Sequence, residues 1–220
     1  EFMILANVAA AETLIQKRSP LLFRVHEEPA PERLEALRET ARAAGLNLAK
    51  GQVLQTRHLN ALLNHAAGTD DAERSNLSTL RSMQQAYYNP ENFGHFGLAL
   101  RNYAHFTSPI RRYPDLLVHR AIRYLIRSGA DTPHADNPGG LPAIQRDHIL
   151  PFSLNDMIAM GEHCSMTERR ADDATRDVEQ WLKCQYMEDH LGAEFEGVVS
   201  GVAAFGLFVQ INNLHIDGLV

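Results

Sequence analysis

The stretch "YAHFTSPIRRYPDLLVHR", Tyr103 to Arg120, places two adjacent arginines shortly after a Ser-Pro pair. Proline is favoured in the first turn of a helix, so Ser108-Pro109 predicts a helix from about Ile110 to Ser128. The unpaired backbone N–H groups at a helix start favour an anion such as phosphate, and two guanidinium groups there favour it further. The pattern therefore predicts a phosphate-binding site at the start of this helix.

The same helix allows other interpretations of its charges. Arg111, Asp115 and His119 are spaced to share one helical face, so Asp115 or His119 can hold the Arg111 guanidinium from one turn below. The simplest alternative is a solvated face with an Arg111–Asp115 ion pair, worth roughly a few tenths of a kcal/mol. General acid or base chemistry at Asp115 or His119 is the weakest interpretation, because an aspartate beside arginines is explained as their partner. Spacing alone leaves these alternatives open.

Composition sets the broad class of the protein. The chain is 45% hydrophobic and 22% charged with a net charge of -6, which is globular and argues against a generic basic nucleic-acid binder. Between Arg101 and Ser128, however, six arginines accompany one aspartate, a local balance of +5. No run approaches the roughly 20 apolar residues that a membrane span needs, so we expect no membrane association.

The cysteines and histidines give no sign of a disulfide or a zinc site. Cys164 and Cys184 fall on one long predicted helix, where 20 residues separate them by about 30 Å, so they cannot pair. Unpaired cysteines fit a reducing cytoplasm. The eleven histidines are scattered, and none is combined with cysteine at zinc-ligand spacing.

The remaining pattern predicts an α/β (α+β) chain that is rich in helices up to about residue 190. Helices are predicted over 2–17, 31–45, 56–67, 71–86, 110–128 and 153–190, and strands over 21–27, 95–100, 194–202, 206–211 and 215–220. The first helix is apolar nearly all round, which predicts burial on most sides. Ser153 and Asp156 have the spacing of a capping box. A helix without a cap at the start and an open strand at the end predict a segment of a longer protein.

The last thirty residues predict a small β structure with exposed rings. Phe205, Phe208 and His215 are interleaved with apolar positions on strands joined by tight turns. Aromatic side chains on the face of a small barrel can stack on single-stranded bases. The alternative is that Phe208 belongs to the core and only Phe205 is exposed.

Four segments resemble one enzyme family. "HFGLALRNYAHFTSPIRRYPDLLVHRAI" closely resembles the signature of the ribonuclease II and ribonuclease R exoribonucleases. "EFMILANVAAAE", "HCSMTERRADDATRDVEQWLKC" and "GVVSGVAAFGLFV" resemble, in the same order, the bacterial ribonuclease R branch of that family. The resemblance implies that residues 1–190 are the C-terminal part of an RNB catalytic domain. It also implies that residues 191–220 are the first strands of an S1 RNA-binding domain, an OB-fold barrel.

The resemblance also implies a reaction and a site. Such enzymes hydrolyse single-stranded RNA processively from its 3′ end with two divalent metal ions and release nucleoside 5′-monophosphates. The family motif places Arg111 on the scissile phosphate. The family also has an acidic residue near the RNA end, and Glu1 lies at or beside the position of that residue. The RNA-binding residues that we expect are Arg112, Ser108, Tyr113, Glu1, Phe205, Phe208 and His215. No obligatory protein partner is evident.

The metal ligands are the point at which this chain departs from the family pattern. The family holds Mg²⁺ with a cluster of aspartates earlier in the catalytic domain, so we expect those ligands before Glu1. Asp70-Asp71 and Asp172-Asp173 are isolated pairs, and neither is assigned a metal. Two alternatives to an exoribonuclease follow: an RNA-binding module without catalytic metal ligands, and a helical interaction protein with an incidental arginine patch. The last would show no salt-dependent affinity for RNA.

Overall fold

The structure, a computed structural model, describes residues 1–43, 45, 55–69, 72–128, 141–212, 214 and 216–220. The regular elements in chain order are α1 (Phe2–Gln16), β1 (Phe23–Val25), α2 (Pro31–Ala43), α3 (Thr56–Ala66), α4 (Ala72–Ser82), β2 (Tyr87–Asn89), a 3-10 helix (Phe96–Leu98), α5 (Tyr113–Arg127), α6 (Arg146–Ile149), α7 (Leu154–Glu188), β3 (Gly197–Ala203), β4 (Gly206–Ile211) and β5 (Ile216–Leu219). They form two compact units, Glu1–Met166 and Thr167–Val220. None of the helices in these ranges is both long and apolar enough to cross a bilayer.

The core of the first unit forms where α1 and α5 pack together and against β1. Leu14 of α1, Val25 of β1 and Val118 of α5 are completely buried in one cluster. The same cluster contains Ala104, which is also completely buried although it lies in the irregular segment before α5. Burial of apolar area therefore fixes the segment that leads to the two arginines.

The short sheet of the first unit packs closely against α7. β1 and β2 are antiparallel, with Arg24 opposite Tyr88. The Ser165 hydroxyl accepts a hydrogen bond from the Tyr88 N–H at 2.9 Å and donates to the Gly161 carbonyl at 2.7 Å. A Cβ atom at Gly161 would lie 2.7 Å from the Tyr88 carbonyl oxygen, so the approach of helix and strand requires glycine.

A second cluster of buried residues joins α2 to α3. Its members are Leu37, Ala41, Leu59, Leu62 and Ala66. They recur at spacings of three and four along each helix, which is the pattern from which both helices were predicted. The predicted helices over 31–45 and 56–67 are confirmed as α2 and α3.

The second unit contains a three-stranded antiparallel meander in the order β3-β4-β5. Val199 of β3 faces Val209 of β4, and a bulge follows between Val199 and Gly201. Phe208 of β4 pairs with Leu219 of β5. All three strands predicted from the change of pattern after residue 191 are confirmed.

The long helix α7 begins as its sequence predicts. The Ser153 hydroxyl donates to the Asp156 carboxylate at 2.7 Å, and the Ser153 N–H donates to the same oxygen at 2.8 Å. The Asp156 N–H donates back to the Ser153 hydroxyl at 3.2 Å, which completes the capping box. These hydrogen bonds stabilise the carboxylate and lower the pKa of Asp156. Cys164 and Cys184 both lie on α7, and neither forms a disulfide.

Two predictions about local structure were wrong because tertiary contacts decide the outcome. The first turn of α1 is exposed at Phe2 and Met3, and burial begins only at Asn7, where the helix enters the core. The stretch over 95–100 is not a strand but contains the 3-10 helix. There the Gly97 N–H donates to Nδ1 of His26 at 3.0 Å, and this hydrogen bond stabilises the turn.

Two helix boundaries also differ from their predictions. The helix predicted to end at Ala86 ends at Ser82, because Tyr87–Asn89 pairs with β1 instead. The arginine helix begins at Tyr113 rather than Ile110, since Arg112 is extended and the Arg111 N–H bonds the Ser108 carbonyl in a turn. Arg111 therefore precedes the helix and does not share a helical face with Asp115 and His119.

We predict that Gly161→Ala destabilises the chain although alanine is normally the better helix former. The added Cβ would meet the Tyr88 carbonyl, and such overpacking costs about 1–3 kcal/mol of the free energy of unfolding. Urea unfolding measures it. Ala159→Gly, at an exposed position of the same helix, is the control and should lose about 1 kcal/mol through helix propensity. A Gly161→Ala variant that is more stable than the parent would contradict the packing described.

Candidate nucleic-acid interface

The segment before α5 is attached to the fold at its first residues. Tyr103 is 7% exposed, and its carbonyl accepts a hydrogen bond from the Arg24 N–H of β1 at 2.9 Å. The Tyr103 hydroxyl accepts from the Asn7 side-chain amide of α1 at 3.0 Å. The segment therefore leaves the core from a defined place between a strand and a helix.

The peptide groups of Phe106 are bound on both sides. The Phe106 N–H donates to Oδ1 of Asn7 at 3.0 Å, and the Phe106 carbonyl lies 2.8 Å from Nε2 of His119, which donates to it. The His119 ring also stacks on the Phe106 ring, with centroids 4.3 Å apart and an angle of 14°. A side chain of α1 thus binds the N–H of Phe106, and a side chain of α5 binds its carbonyl.

Asp115 fixes the next part of the segment. Its carboxylate is completely buried, and one oxygen accepts from the Ser108 N–H at 2.8 Å and from Nη2 of Arg112 at 2.8 Å. The alternative of an ion pair between Arg111 and Asp115 is therefore wrong, because Arg112 is the partner of Asp115. The reason is the later start of α5, which brings Arg112 to the helix N-cap, three residues before Asp115.

The two arginines consequently have different surroundings. The Arg112 side chain is 20% exposed and is bound to Asp115, whereas Arg111 is exposed. Within the described part of the chain, the Arg111 guanidinium forms no hydrogen bond or ion pair. Its neighbour Ile110 is fully exposed, so the turn projects from the anchored segment. Of the two arginines, Arg111 is therefore the one that this turn exposes to solvent.

The other predicted site residues fall into three groups. Ser108 and Tyr113 flank the arginines, but the Ser108 N–H is occupied by Asp115, while Tyr113 is 42% exposed. Glu1 is exposed at the N-cap of α1. The remaining three belong to the second unit and are described by themselves.

Two of the predicted RNA-binding aromatic residues, Phe205 and Phe208, lie at the β3–β4 turn and on β4. Phe205 is 74% exposed and Phe208 is 37% exposed, and their rings meet edge to face with centroids 6.2 Å apart. Both rings are therefore accessible, in contrast to the alternative in which Phe208 is core. His215 lies outside the described residues.

The sequence pattern did not predict a cluster of histidines and tyrosines that lies behind the segment before α5, because these histidines are scattered along the chain. Ring contacts of 5.0 to 5.7 Å between centroids connect His26, His95, Tyr103, His105 and Tyr88. The Tyr88 hydroxyl lies 2.9 Å from Nδ1 of His105. The β1–β2 pairing assembles the cluster, and its only sequence signal was the short Tyr-Tyr-Asn strand before a proline.

The surroundings of this cluster disfavour the protonated form of its imidazoles. Burial lowers the pKa of His95 to about 4 and that of His105 to about 3. At His105 the positive charges of Arg112, Arg24 and Arg111 lower the pKa further. Burial also lowers the pKa of His26. Three guanidinium groups from two parts of the chain thus raise the positive potential around His105, which favours an anionic ligand nearby.

The residues that the structure describes do not fit a metal ion. Across the described ranges, no three His, Cys, Asp or Glu side chains are grouped so that they could hold one. Asp173 pairs with Arg176 on the exposed face of α7. Asp70-Asp71 lies outside the described residues. A magnesium ion required by the chemistry would therefore need ligands other than these.

Comparisons with known proteins identify the family of this chain. The RNB domain family model matches residues 1–128. The chain is 50% identical to ribonuclease R of Vibrio parahaemolyticus, with all of this chain aligned to 26% of that protein. The chain belongs to the RNB domain family, and it spans about a quarter of the length of the curated relatives it matches.

Solved structures share the fold. Mycoplasma genitalium RNase R in complex with ribose-methylated single-stranded RNA has a TM-score of 0.81 and 25% identity, over 99% of this chain and 32% of that chain. The yeast pseudonuclease Ssd1 has a TM-score of 0.74 and 21% identity, over 98% of this chain and 25% of that chain. The second likeness concerns the fold alone.

We predict that the free energy of unfolding falls as the pH is lowered. In the unfolded chain the histidines bind protons below pH 6.5, whereas folded His95 and His105 bind them only below about 4 and about 3. The unfolded state therefore binds more protons in this window, and stability rises with pH across it. Urea unfolding at a series of pH values measures the slope.

His105→Gln, which keeps a hydrogen-bonding group for Tyr88, should make that dependence less steep. His148→Gln is the matched control, because His148 is exposed. An unchanged slope in His105→Gln, or an equal change in both variants, would show that His105 is not held neutral.

Proposed function

We propose that this chain forms part of an exoribonuclease that hydrolyses single-stranded RNA from its 3′ end, with Arg111 on the scissile phosphate. The observation that carries the proposal is the contrast between the two arginines. Arg112 is bound by the buried Asp115, while the exposed Arg111 extends from a turn whose base is anchored. Membership in the RNB domain family supports the same reaction. The Vibrio parahaemolyticus relative is named ribonuclease R, which supports this reaction as well.

Arg111 would act mainly on the transition state. In the hydrolysis, the oxygen of water attacks phosphorus, and the bond from phosphorus to the 3′ oxygen of the penultimate nucleotide breaks. The phosphate remains on the released nucleotide as a 5′-monophosphate, and the shortened RNA keeps a 3′ hydroxyl. Negative charge accumulates on the phosphoryl oxygens during this step, so the N–H donors of Arg111 stabilise the transition state more than the bound substrate.

The positive surroundings support binding of a polyanion at this place. Arg112 shares its charge with Asp115, but Arg24 and Arg111 add to the potential that keeps His105 neutral. The imidazoles of His95 and His105 in turn add no charge that would vary between pH 5 and 8. We therefore expect the affinity for RNA at this site to depend on guanidinium groups and on salt, and not on protonation of His95 or His105.

A divalent metal ion supplies the attacking hydroxide in hydrolyses of this kind, and RNB-family nucleases generally depend on one. We propose Mg²⁺ for the intact enzyme. Because the described residues of this chain form no suitable group, we assign its ligands to other parts of the enzyme and derive no step through it here.

The remaining predicted contacts belong to the same proposal. We propose residues 1–190 as part of the catalytic domain and 191–220 as the first strands of an S1 domain. The accessible rings of Phe205 and Phe208 support stacking on bases. Tyr113, at the start of α5 beside the arginines, and Glu1 would contact RNA near its end.

A second candidate is a module that binds RNA without hydrolysing it. The absence of a metal-binding group within the described residues favours it, and the same fold occurs in a protein described as a pseudonuclease. The two candidates differ in one measurement. An intact enzyme releases mononucleotides from a 3′-labelled single strand with added metal, and a binding module retains the strand intact.

We predict that Arg111→Ala in the intact enzyme lowers turnover roughly 100- to 1,000-fold, as removal of one transition-state donor does. The effect on KM should be small, because the contact strengthens only as charge develops. Mononucleotide release under saturating RNA measures turnover.

Arg123→Ala is the matched control, since Arg123 is an exposed arginine on α5, the helix that follows Arg111. It should leave turnover close to that of the parent. Normal turnover in a folded Arg111→Ala enzyme would exclude Arg111 from the scissile phosphate.

A further inference from the structure

Asn7, on α1, anchors the segment before α5 although it lies far from that segment along the chain. It is 4% exposed, and its side-chain oxygen accepts from the Phe106 N–H at 3.0 Å. Its amide nitrogen donates to the Tyr103 hydroxyl at 3.0 Å. Both functional groups of this buried amide are therefore used, and both partners belong to the segment that leads to Arg111.

His119 completes the attachment from α5. Its Nε2–H donates to the Phe106 carbonyl at 2.8 Å, so one residue has its N–H and its carbonyl bound by side chains of two helices. Two residues further on, the Ser108 N–H is bound by Asp115. Pro109 follows with a fixed backbone angle, which leaves few soft torsions between the anchors and Arg111.

Asn7 itself does not contact the proposed phosphate, but its hydrogen-bond partners belong to the segment that leads to Arg111. We propose that Asn7, together with His119, is a positioning residue that holds the Phe106 peptide and thereby places the Arg111 guanidinium. The inference rests on the proposed function, because it assumes that Arg111 addresses the scissile phosphate. Rate is sensitive to such placement, since a displacement of about 1 Å can cost on the order of 100-fold.

A merely structural role for Asn7 makes a different prediction. Loss of a buried hydrogen bond would then reduce stability, and any effect on turnover would be the same whether or not Arg111 is present. A positioning role acts only through Arg111, so its effect on turnover should disappear when Arg111 is already absent. A double-mutant cycle separates the two roles.

The experiment measures kcat, KM and thermal unfolding of the intact enzyme on single-stranded RNA with metal. Asn7→Ala removes the acceptor for the Phe106 N–H. Asn7→Asp keeps an acceptor in the same place and serves as the conservative variant. Tyr103→Phe is the matched control, because it removes the other hydrogen bond of Asn7 and leaves the Phe106 bond intact. Each change is made with Arg111 present and with Arg111→Ala.

We expect Asn7→Ala to lower kcat roughly 10- to 100-fold with KM little changed. Asn7→Asp should restore most of the loss, and Tyr103→Phe should leave kcat near that of the parent. In the Arg111→Ala background, Asn7→Ala should have no further effect. An effect of equal size in both backgrounds, or an unchanged kcat in a folded Asn7→Ala enzyme, would overturn the inference.

The double-mutant cycle distinguishes a failure of the proposed function from a failure of the inference about Asn7. If Arg111→Ala alone leaves kcat unchanged, the proposed function fails and the inference fails with it. If Arg111→Ala lowers kcat but Asn7→Ala does not, only the inference fails. Should Asn7→Ala not fold, His119→Phe carries the same cycle, because it keeps a ring to stack on Phe106 and removes only the donor to the carbonyl.

Discussion

The buried carboxylate of Asp115 is the interaction on which the site depends. It accepts hydrogen bonds from the Ser108 N–H and from the Arg112 guanidinium at the start of α5. A buried ionised carboxylate is tolerated only when it is paired, so the charge of Arg112 and the turn at Ser108 become structural requirements. The carboxylate thus closes the segment onto the helix and leaves Arg111 outside.

This constraint explains why two adjacent arginines have different tasks. Arg112 neutralises Asp115 inside the protein, whereas Arg111 remains exposed, and we propose that Arg111 binds a phosphate. The ring cluster behind them carries no positive charge of its own at neutral pH, because burial and the arginines lower the pKa of His95 and His105. The cluster supports the segment mechanically through ring packing and the Tyr88–His105 hydrogen bond.

The elements that the sequence pattern predicted correctly are those that short-range interactions determine. The capping box at Ser153, the helices α2 and α3 and the three strands of the second unit all follow from short-range chemistry, and all are confirmed. The sequence identified the segment around Arg111 but offered Arg111 instead of Arg112 as the partner of Asp115, because the start of α5 depends on the Ser108–Asp115 bond. Asn7 could not be identified, since its partner Phe106 is 99 residues away along the chain.

The most direct test of the central claim is the salt dependence of RNA affinity, measured on the intact enzyme with metal removed by a chelator. Each phosphate contact on a single strand contributes a slope of about 0.7 in the logarithm of affinity against the logarithm of salt. Arg111→Met should lower the slope by about that amount. Arg112→Met combined with Asp115→Asn, which removes the internal ion pair and keeps an acceptor for Ser108, should leave it unchanged. Equal losses of slope in both variants would contradict the division of roles between the two arginines.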